Sequence, residues 1–306
     1  MRAVPAGLVE MLRPLLPVGY ASVAEAYRQA AVGVTARELT THYTEGVAFF
    51  QGTFVPYLKD LLRRLSGGEW DLQEYAAFAA GSDVDLISHV VNGVAAYGQV
   101  ALFPGDWGGF AAGCVSREHI RWQQESRGVV ACLCVPSVRN GHLTEGMVDF
   151  LTDADACLLN LNLFPTLQSE ERRDVAHRLR DILPKTVLSI SFSRGFGLTA
   201  SQLGVLLIHP DHPWVRQFRA QWTWFTYFYN AIAARAFMQV HLTRLREVDE
   251  QRRRWVTAWL RERGLPVVES GSYYVKAFRV EGALPDHLKS LVRDDVVRLC
   301  LKPPQT

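Results

Sequence analysis

Lysine is scarce in this sequence of 306 residues. Only five of the 33 basic residues are lysine and the other 28 are arginine, a bias typical of a GC-rich genome. Because 31 acidic residues balance these cations, the formal net charge is only +2. So small a net charge provides no overall attraction to nucleic acid, and no nucleic-acid partner is expected. The lysines are Lys59, Lys185, Lys276, Lys289 and Lys302.

Cysteine is too sparse to form a framework. The five cysteines are an odd number and contain no C-x-x-C pair, which argues against both a disulfide scaffold and a zinc site. Cys132 and Cys134 lie two residues apart in an apolar run, so they would share one face of a strand. We expect buried thiols that act as small apolar side chains.

Long apolar runs are absent as well. No stretch approaches the ~18 uninterrupted apolar residues of a membrane span. Pro5, Glu10 and Pro14 interrupt the N-terminus, and no small-residue cleavage site follows, which argues against a signal peptide. We therefore expect a soluble cytoplasmic protein without a membrane partner. The apolar content of 48% excludes a disordered or fibrous chain.

The order of elements predicts an α/β fold with a largely parallel sheet, because strands alternate with helices of ten to fifteen residues. Several strands are continuous apolar runs, as in sheets that are covered on both faces. We predict strands at 99–103, 129–135, 156–164, 186–192, 203–210, 272–280 and 296–302. We predict helices at 22–30, 55–65, 71–80, 83–98, 116–126, 144–154, 169–183, 285–295 and over most of 214–263.

These elements divide into an N-terminal helical segment (1–75), a large α/β domain (76–245) and a small α+β C-terminal domain (246–306).

The cations Arg252, Arg253 and Arg254 stand beside acidic residues, which favours a solvated helix face over a polyanion site. His209 and His212 flank Pro210 and Asp211, which favours a strand-to-helix turn, and no metal site is predicted.

The most informative segment is SISFSRGFGLTASQLGVLLIHP, in which a strand ends in Ser191-x-Ser193 and Arg194 precedes a glycine-rich loop. This segment resembles the cofactor-lysine segment of class I/II aminotransferases, the fold-type-I pyridoxal-phosphate enzymes. Their pattern is roughly S-x-S-K-x-x-G-L-x-G-x-R-x-G. Arg194 stands at the position of the lysine, and Gln202 stands at the position of the later arginine.

Two earlier motifs follow in the order that this resemblance requires. Gly81-Ser82-Asp83, before a helix, is similar to the family's phosphate cup, where backbone N–H groups at a helix N-terminus bind phosphate. Ser82 or Asp83 is also the predicted N-cap of that helix. The turn FPGDWGGF is similar to the family's P-x-Y-x-x-Y turn, so Trp107 would stack on the cofactor ring.

Three later motifs complete the resemblance, which covers about residues 76 to 301. PSVRNG is similar to the loop N-P-x-N-P-T-G, which makes Asn140 the counterpart of the residue that binds the ring hydroxyl. LLNLNLF is similar to the strand that carries D-x-x-Y, with Asn160 in place of the aspartate that pairs with the pyridinium nitrogen. VVRLCLK resembles the C-terminal strand of the family, and Arg298 stands at the position that binds the substrate carboxylate.

The departures from the family pattern bear directly on its chemistry. That chemistry needs an amine that forms a Schiff base and then moves a proton, whereas a guanidinium stays protonated and is a poor nucleophile. A neutral Asn160 stabilises a protonated ring nitrogen less well than a carboxylate does. Lys185 is expected at the far end of its strand, Lys276 in the small domain, and Lys59, Lys289 and Lys302 at exposed positions. None of them replaces the missing lysine.

The individual side chains keep alternative interpretations. Arg194 is either a clamp for a carboxylate or phosphate, which we favour, or a substituted residue paired with an acid. Trp107 either stacks on a ligand or packs against the protein. Asn160 either contacts a ligand or forms a structural polar pair. Arg298 on an apolar strand needs an anionic partner.

The resemblance implies an aminotransferase fold and a homodimer. Our leading hypothesis is an enzyme that has lost the lysine and uses the old pocket for a non-transaminating reaction in specialised metabolism. Its substrate would be a small amino-acid-like or carboxylate-bearing metabolite, with pyridoxal or pyridoxamine phosphate bound non-covalently or absent. The alternatives are a catalytically silent partner of an active homologue and, more remotely, a true aminotransferase with a displaced lysine.

Overall fold

The computed structural model describes residues 20–41, 45–198, 201–222, 229–279, 289, 291–293 and 295–300. These residues form one seven-stranded sheet and one four-stranded sheet. The strands are β1 (Ala76–Ala80), β2 (Val100–Leu102), β3 (Ile120–Trp122), β4 (Val130–Cys134), β5 (Ala156–Asn160), β6 (Thr186–Ser191), β7 (Gly204–Ile208), β8 (Val267–Val268), β9 (Val275–Arg279), β10 (Val292–Arg293) and β11 (Val296–Cys300).

Helices connect most of these strands. The α-helices are α1 (Ala21–Gly33), α2 (Ala36–Thr40), α3 (Val47–Phe49), α4 (Val55–Leu65), α5 (Asp83–Ala95), α6 (Gly109–Ala112), α7 (Glu145–Asp153), α8 (Ser169–Leu179), α9 (Trp214–Trp222), α10 (Ala231–Gln239) and α11 (Leu242–Glu262). A π-helical turn, Phe50–Phe54, joins α3 to α4. Helix α5 begins at the predicted N-cap, because the Ser82 hydroxyl accepts a hydrogen bond from the Asp85 N–H at 3.1 Å.

The large sheet has the strand order β1-β7-β6-β5-β4-β2-β3. Strands β2 to β6 are parallel, and β7 alone runs antiparallel to both of its neighbours, β1 and β6. Strands β4 to β7 are buried almost throughout, as their apolar sequences predict. The mostly parallel α/β fold is therefore confirmed. The small sheet, β10-β11-β9-β8, is antiparallel.

The apolar core surrounds the large sheet and includes a cluster of four phenylalanines below the glycine-rich loop. The Phe192 ring lies 4.8 Å from Phe237 and 5.7 Å from both Phe54 and Phe196. A smaller apolar cluster, in which Val256 and Leu260 of α11 contact Phe278 of β9, covers one face of the small sheet. Both sheets thus bury apolar side chains against helices.

Two helix predictions within the large sheet are wrong. The alanine-rich segment 71–80 ends in strand β1, because its backbone pairs with β7 more than one hundred residues later in the chain. Tertiary pairing here overrides the high helix propensity of alanine. Segment 116–126 forms a 3-10 turn and then the edge strand β3, which pairs with β2.

Three further predictions about segments and side chains need correction. Part of the predicted helix 285–295 is instead strand β10, and residues 285–288 lie outside the described part of the chain. Lys59 is buried rather than exposed, and its ammonium donates to the Gln73 carbonyl at 2.6 Å. Arg252 is not solvated, because its guanidinium is buried against the Asp249 carboxylate at 3.0 Å.

The expectations for the described cysteines and for His209 and His212 are confirmed. Cys114, Cys132, Cys134 and Cys157 are free and buried. His209 and His212 lie in a turn, where the Nδ1 atoms of the two rings accept hydrogen bonds from the backbone N–H groups of Asp211 and Trp214. Among the helices of the described ranges, none has the length and apolar character needed to cross a membrane.

Gly204 lets the start of β7 approach the start of α5. A Cβ atom on Gly204 would lie 2.2 Å from the backbone nitrogen of Asp83, a separation that real Cβ atoms do not reach. The contact is with backbone, so no side-chain rotation can relieve it. The absence of a side chain at position 204 therefore fixes how closely α5 approaches the strand ends.

We expect the substitution G204A to lower the free energy of unfolding by about 3 kcal/mol, because α5 and β7 must separate to admit the methyl group. The control G146A lies in helix α7, where a Cβ atom would have no neighbour within 4 Å. This control should raise stability by roughly 0.5–1 kcal/mol through helix propensity. Urea unfolding followed by circular dichroism measures both changes. Equal stabilities for the two variants would contradict the close approach.

Candidate active site

The predicted site residues converge at the carboxyl ends of the parallel strands. Asn160 ends β5, and Ser191 ends β6 beside Gly204 and Ala80 in the strand pairing. The Gly81-Ser82-Asp83 segment directly follows β1, and Trp107 lies in the loop after β2. Open α/β sheets bind their ligands at this edge.

A cavity of about 170 Å³ opens at this edge. Polar side chains from three strand ends line it together with an aromatic ring and a few apolar groups. The lining residues predicted from the sequence are Asp83, Trp107, Asn160, Ser191, Ser193 and Arg194. The structure adds Val84, Cys134, Val138, Asn162 and Leu163, which were not among the predicted site residues.

Asp83 is the buried acid of the cavity. Its carboxylate accepts a hydrogen bond from the Asn160 amide at 3.3 Å and another from the Ser191 hydroxyl. Burial raises the pKa of Asp83, and the hydrogen bonds from Ser191 and Asn160 only partly oppose this effect. The position in the first turn of α5 also favours a negative charge. The cavity thus holds a carboxyl group that binds its proton more tightly than a solvated aspartate does.

Asn160 forms the structural polar pair that was one of its two predicted interpretations. Its amide donates to Asp83, and its carbonyl oxygen accepts from the backbone N–H of Asn162 at 2.8 Å. The side chain still lines the cavity, so it can also face a ligand. The structural pair and the ligand contact are therefore compatible.

Arg194 projects from the loop that follows β6. Its backbone N–H donates to the Asn162 side-chain oxygen at 3.3 Å, and the hydroxyls of Ser191 and Ser193 are 2.9 Å apart just before it. At Gly195 a Cβ atom would lie 2.3 Å from the Asn162 carbonyl oxygen, so only glycine allows the loop to fold this tightly. The half-buried Arg194 side chain lines the cavity.

Arg194 and Arg298 both interact electrostatically with the Cys134 thiol on the cavity wall. Burial raises the pKa of the Cys134 thiol well above its usual range, and the Asp106 charge acts in the same direction. The two arginine charges oppose the increase. Arg298 itself is buried on β11 of the small sheet, outside the described lining of the cavity. The small sheet therefore places a second cation within electrostatic range of the cavity.

Trp107 is held by an acid that sequence reasoning missed. Asp106 is buried and accepts hydrogen bonds from the Cys134 N–H at 2.7 Å, the Val138 N–H at 3.1 Å and the Ser137 hydroxyl at 3.0 Å. These bonds tie the loop after β2 to the end of β4. A Cβ atom on Gly109 would overlap the Trp107 ring at 2.0 Å, so the indole lies directly over this backbone.

The remaining predicted residues lie at the same edge of the large sheet but outside the described lining of the cavity. Ser82 caps α5, and Gly81 precedes it. The Asn140 side-chain oxygen accepts from the His142 N–H at 3.3 Å and so holds the loop after β4. Gln202, with a φ of 48°, turns the chain into β7.

The described lysines engage other parts of the protein. The Lys185 ammonium donates to the Thr152 and Ala154 carbonyls at 2.6 Å each, at the opposite end of the large sheet, as predicted. The Lys276 ammonium lies 3.3 Å from Glu269 beside the small sheet. Of the residues described as lining the cavity, none is a lysine. The described residues also contain no cluster of three or more histidine, cysteine or acidic side chains suited to a metal ion.

No protein-family model and no curated protein sequence matches this chain. Solved structures do match it. A histidinol-phosphate aminotransferase from Sinorhizobium meliloti, in complex with pyridoxal-5′-phosphate, has a TM-score of 0.62 at 16% identity over 94% of this chain and 84% of that one. An Escherichia coli protein with a methionine aminotransferase function has a TM-score of 0.63 at 14% identity over 94% and 96%.

A pyridoxal-phosphate-bound C–S lyase from Staphylococcus hominis also matches, with a TM-score of 0.66 at 10% identity over 93% of this chain and 76% of that one. At such low identities the likeness establishes the fold. This chain has the fold of the aminotransferases, as the order of its motifs predicted.

We expect D83N to raise thermal stability at neutral pH. Burial raises the pKa of Asp83 in the folded state, so the folded protein holds this proton more tightly than the unfolded chain does. The resulting stabilisation is largest at low pH and is lost as the pH rises through the folded-state pKa. The asparagine cannot ionise, and its carbonyl oxygen can still accept from Asn160.

Melting curves from pH 3.5 to 8 test this expectation. D83N should melt about 2 °C or more above the wild type at pH 7, and the difference should shrink at the acidic end. D149N removes the same charge from the exposed surface of α7 and serves as the control. A difference between D83N and the wild type that does not change with pH would contradict the raised pKa.

Proposed function

We propose that this protein is an enzyme that binds a small amino-acid-like metabolite in the strand-end cavity and acts on it without a Schiff base to pyridoxal phosphate. The observation that carries the proposal is the arginine in the cavity lining at the position where the resemblance expects a lysine. A guanidinium recognises a carboxylate through two parallel hydrogen bonds and cannot serve as the imine-forming amine.

The cavity carries two opposite charges of the kind that an amino acid carries. Arg194 provides a cation for a carboxylate, and Asp83 provides a buried carboxyl group for an ammonium or hydroxyl. Arg298 adds a second positive charge nearby, which we propose strengthens carboxylate binding. Trp107 offers a flat apolar surface beside them. The volume of about 170 Å³ is below the range of about 300–1,000 Å³ typical of drug-sized ligands, which supports a small metabolite.

Asp83 is the residue that we propose exchanges a proton with the substrate. Its raised pKa brings it closer to neutral pH, where a group gives and takes protons most effectively. The Ser191 hydroxyl and the Asn160 amide orient the carboxylate. We therefore propose that Asp83 transfers a proton to or from a substrate whose carboxylate is bound by Arg194. Arg194 is thus a catalytic residue that contacts the substrate directly.

The residues of the cavity do not fit pyridoxal phosphate as a covalent cofactor. Arg194 provides no attachable amine, and Asn160 provides no carboxylate for the ring nitrogen. The Asp83 carboxylate also lies at the helix end where the resemblance places the phosphate, and two anions there would repel each other. We propose that pyridoxal or pyridoxamine phosphate, if it enters, is a non-covalent ligand in contact with Ser193 and Trp107.

We also propose that the chain acts in the cytoplasm as a homodimer, a state common among symmetric oligomers. Sedimentation equilibrium of the purified chain alone measures this directly. We expect a single species of twice the chain mass of 34.4 kDa. A monomer that dimerises only after an active homologue is added would favour the silent-partner hypothesis instead.

We expect R194M to weaken the binding of α-amino acids at least about tenfold, since the carboxylate loses its two hydrogen bonds. R194K should cause a smaller loss, because an ammonium keeps the charge but not the planar pair of donors. Isothermal titration with a panel of standard α-amino acids measures both. The corresponding amines and carboxylic acids, each lacking one of the two charges, should bind more weakly than the amino acid itself.

The control for this experiment is R127M, which removes an exposed arginine remote from the cavity lining. It should bind the amino acids as the wild type does. Wild-type affinity in R194M would contradict the proposed role of Arg194. So would turnover of an amino acid with a 2-oxo acid and pyridoxal phosphate, because ordinary transamination needs the missing amine.

A further inference from the structure

A second polar groove lies between helix α11 and the small sheet. It has a volume of about 350 Å³, and none of its described lining residues is shared with the strand-end cavity. Its charged lining consists of Arg253, Arg254, Arg261, Lys276, Glu250 and Glu269. Four cations therefore face two carboxylates, and the groove carries an excess of positive charge.

Glu269 is the acid around which this groove is arranged. Its carboxylate lies 3.3 Å from the Lys276 ammonium, 3.6 Å from Arg253 and 3.8 Å from Arg261. One carboxylate thus forms ion pairs with three cations, and two of the three distances exceed normal hydrogen-bond length. Its side chain is 64% exposed, so it can turn away from the two arginines and leave them to an incoming anion while it stays near Lys276.

Lys276 lies at the base of the groove, with only 1% of its side chain exposed. It shares a face of β9 with Phe278, which packs against Val256 and Leu260 of α11. Ala277 lies between Lys276 and Phe278 and faces the other side of the sheet. Arg298 of β11 is directly opposite Ala277 in the strand pairing, so it belongs to that other face as well. Lys276 and the strand-end cavity therefore lie on different sides of this sheet.

The surroundings of Lys276 lower the pKa of its ammonium, so the neutral, nucleophilic amine forms more readily than in a solvated lysine. Burial lowers the pKa of its ammonium; the Glu269 charge opposes this, and the positive charges of Arg253 and Arg261 add to the lowering. A lysine that is shielded from water and lies beside other cations is an activated amine. Adjacent guanidinium groups are also well suited to binding phosphate or carboxylate oxygens.

We propose that this groove is a second ligand site, for a small anionic carbonyl compound, in which Lys276 forms an imine with the carbonyl carbon while Arg253 and Arg261 bind the anionic group. Glu269 is the positioning residue. It holds the three cations together before the ligand arrives and lies close enough to Lys276 to exchange a proton with it.

The chemistry balances without an oxidant or a reductant. Glu269 takes one proton from the Lys276 ammonium, and the neutral amine forms a C–N bond with the carbonyl carbon. A second proton moves from nitrogen to the former carbonyl oxygen, which leaves as water when it receives the proton held by Glu269. Ammonium and carbonyl thus give a protonated imine and one water molecule.

The test uses pyridoxal 5′-phosphate as a probe aldehyde, borohydride to trap the imine, and peptide mass mapping of the labelled full-length chain. With only five lysines in the sequence, each site can be quantified separately. We expect Lys276 to be labelled first, at a rate roughly tenfold higher than with pyridoxal, which lacks the phosphate. Inorganic phosphate should compete, and R253Q and R261Q should each reduce the preference for the phosphorylated probe.

The matched variants are K276R, which keeps the charge but removes the amine, and K289R, which alters an exposed lysine. K276R should lose the rapid label, and K289R should retain it. Labelling of Lys276 no faster than that of Lys289 in the wild type would overturn the proposal without reliance on any variant. Equal rates with pyridoxal and its phosphate would overturn the role of the arginines.

Discussion

The hydrogen bonds that gather Asn160 and Ser191 around the Asp83 carboxylate connect three separate parts of the chain. Asp83 begins the helix that follows β1, Asn160 ends β5 and Ser191 ends β6. Together with the backbone N–H groups of Asp83 and Val84, these bonds compensate the buried carboxylate for its lost hydration. A buried acid without such partners is costly. The depth and charge of the strand-end cavity depend on this one acid remaining buried where three segments meet.

Two further constraints hold the acid in place. Gly204 lets the backbone of β7 pass directly beside the Asp83 nitrogen, and Gly195 lets the loop after β6 pack against the backbone of Asn162. Like Asp83, Asp106 is a buried acid whose hydrogen bonds join two parts of the chain, in this case the loop after β2 and the end of β4. Arg194 and Trp107 are thus held on loops whose backbones are fixed by close packing and buried hydrogen bonds. Such support keeps a functional side chain in position before a ligand arrives.

Much of the large sheet could be predicted from the sequence, because β4 to β7 are apolar runs bounded by turns and the polar residues at their ends meet at one edge. Ser191, Ser193, Arg194 and Asn160 were identified from the resemblance to the aminotransferase motifs, and the structure places them at these strand ends. Strand β1 was not predicted, since its alanines favour a helix until they pair with β7. The Asp83–Asn160 bond joins residues 77 positions apart, so no local pattern indicates it. The roles of Asp106 and the burial of Lys59 likewise depend on distant partners.

The central claim is that a carboxylate binds Arg194 while its amino group faces Asp83. A crystal structure of the protein with a bound α-amino acid tests this most directly. The account predicts electron density in the strand-end cavity, with the carboxylate within hydrogen-bond distance of the Arg194 guanidinium and the ammonium beside Asp83. Density for a cofactor covalently joined to a lysine in that cavity, or for a carboxylate directed away from Arg194, would contradict it.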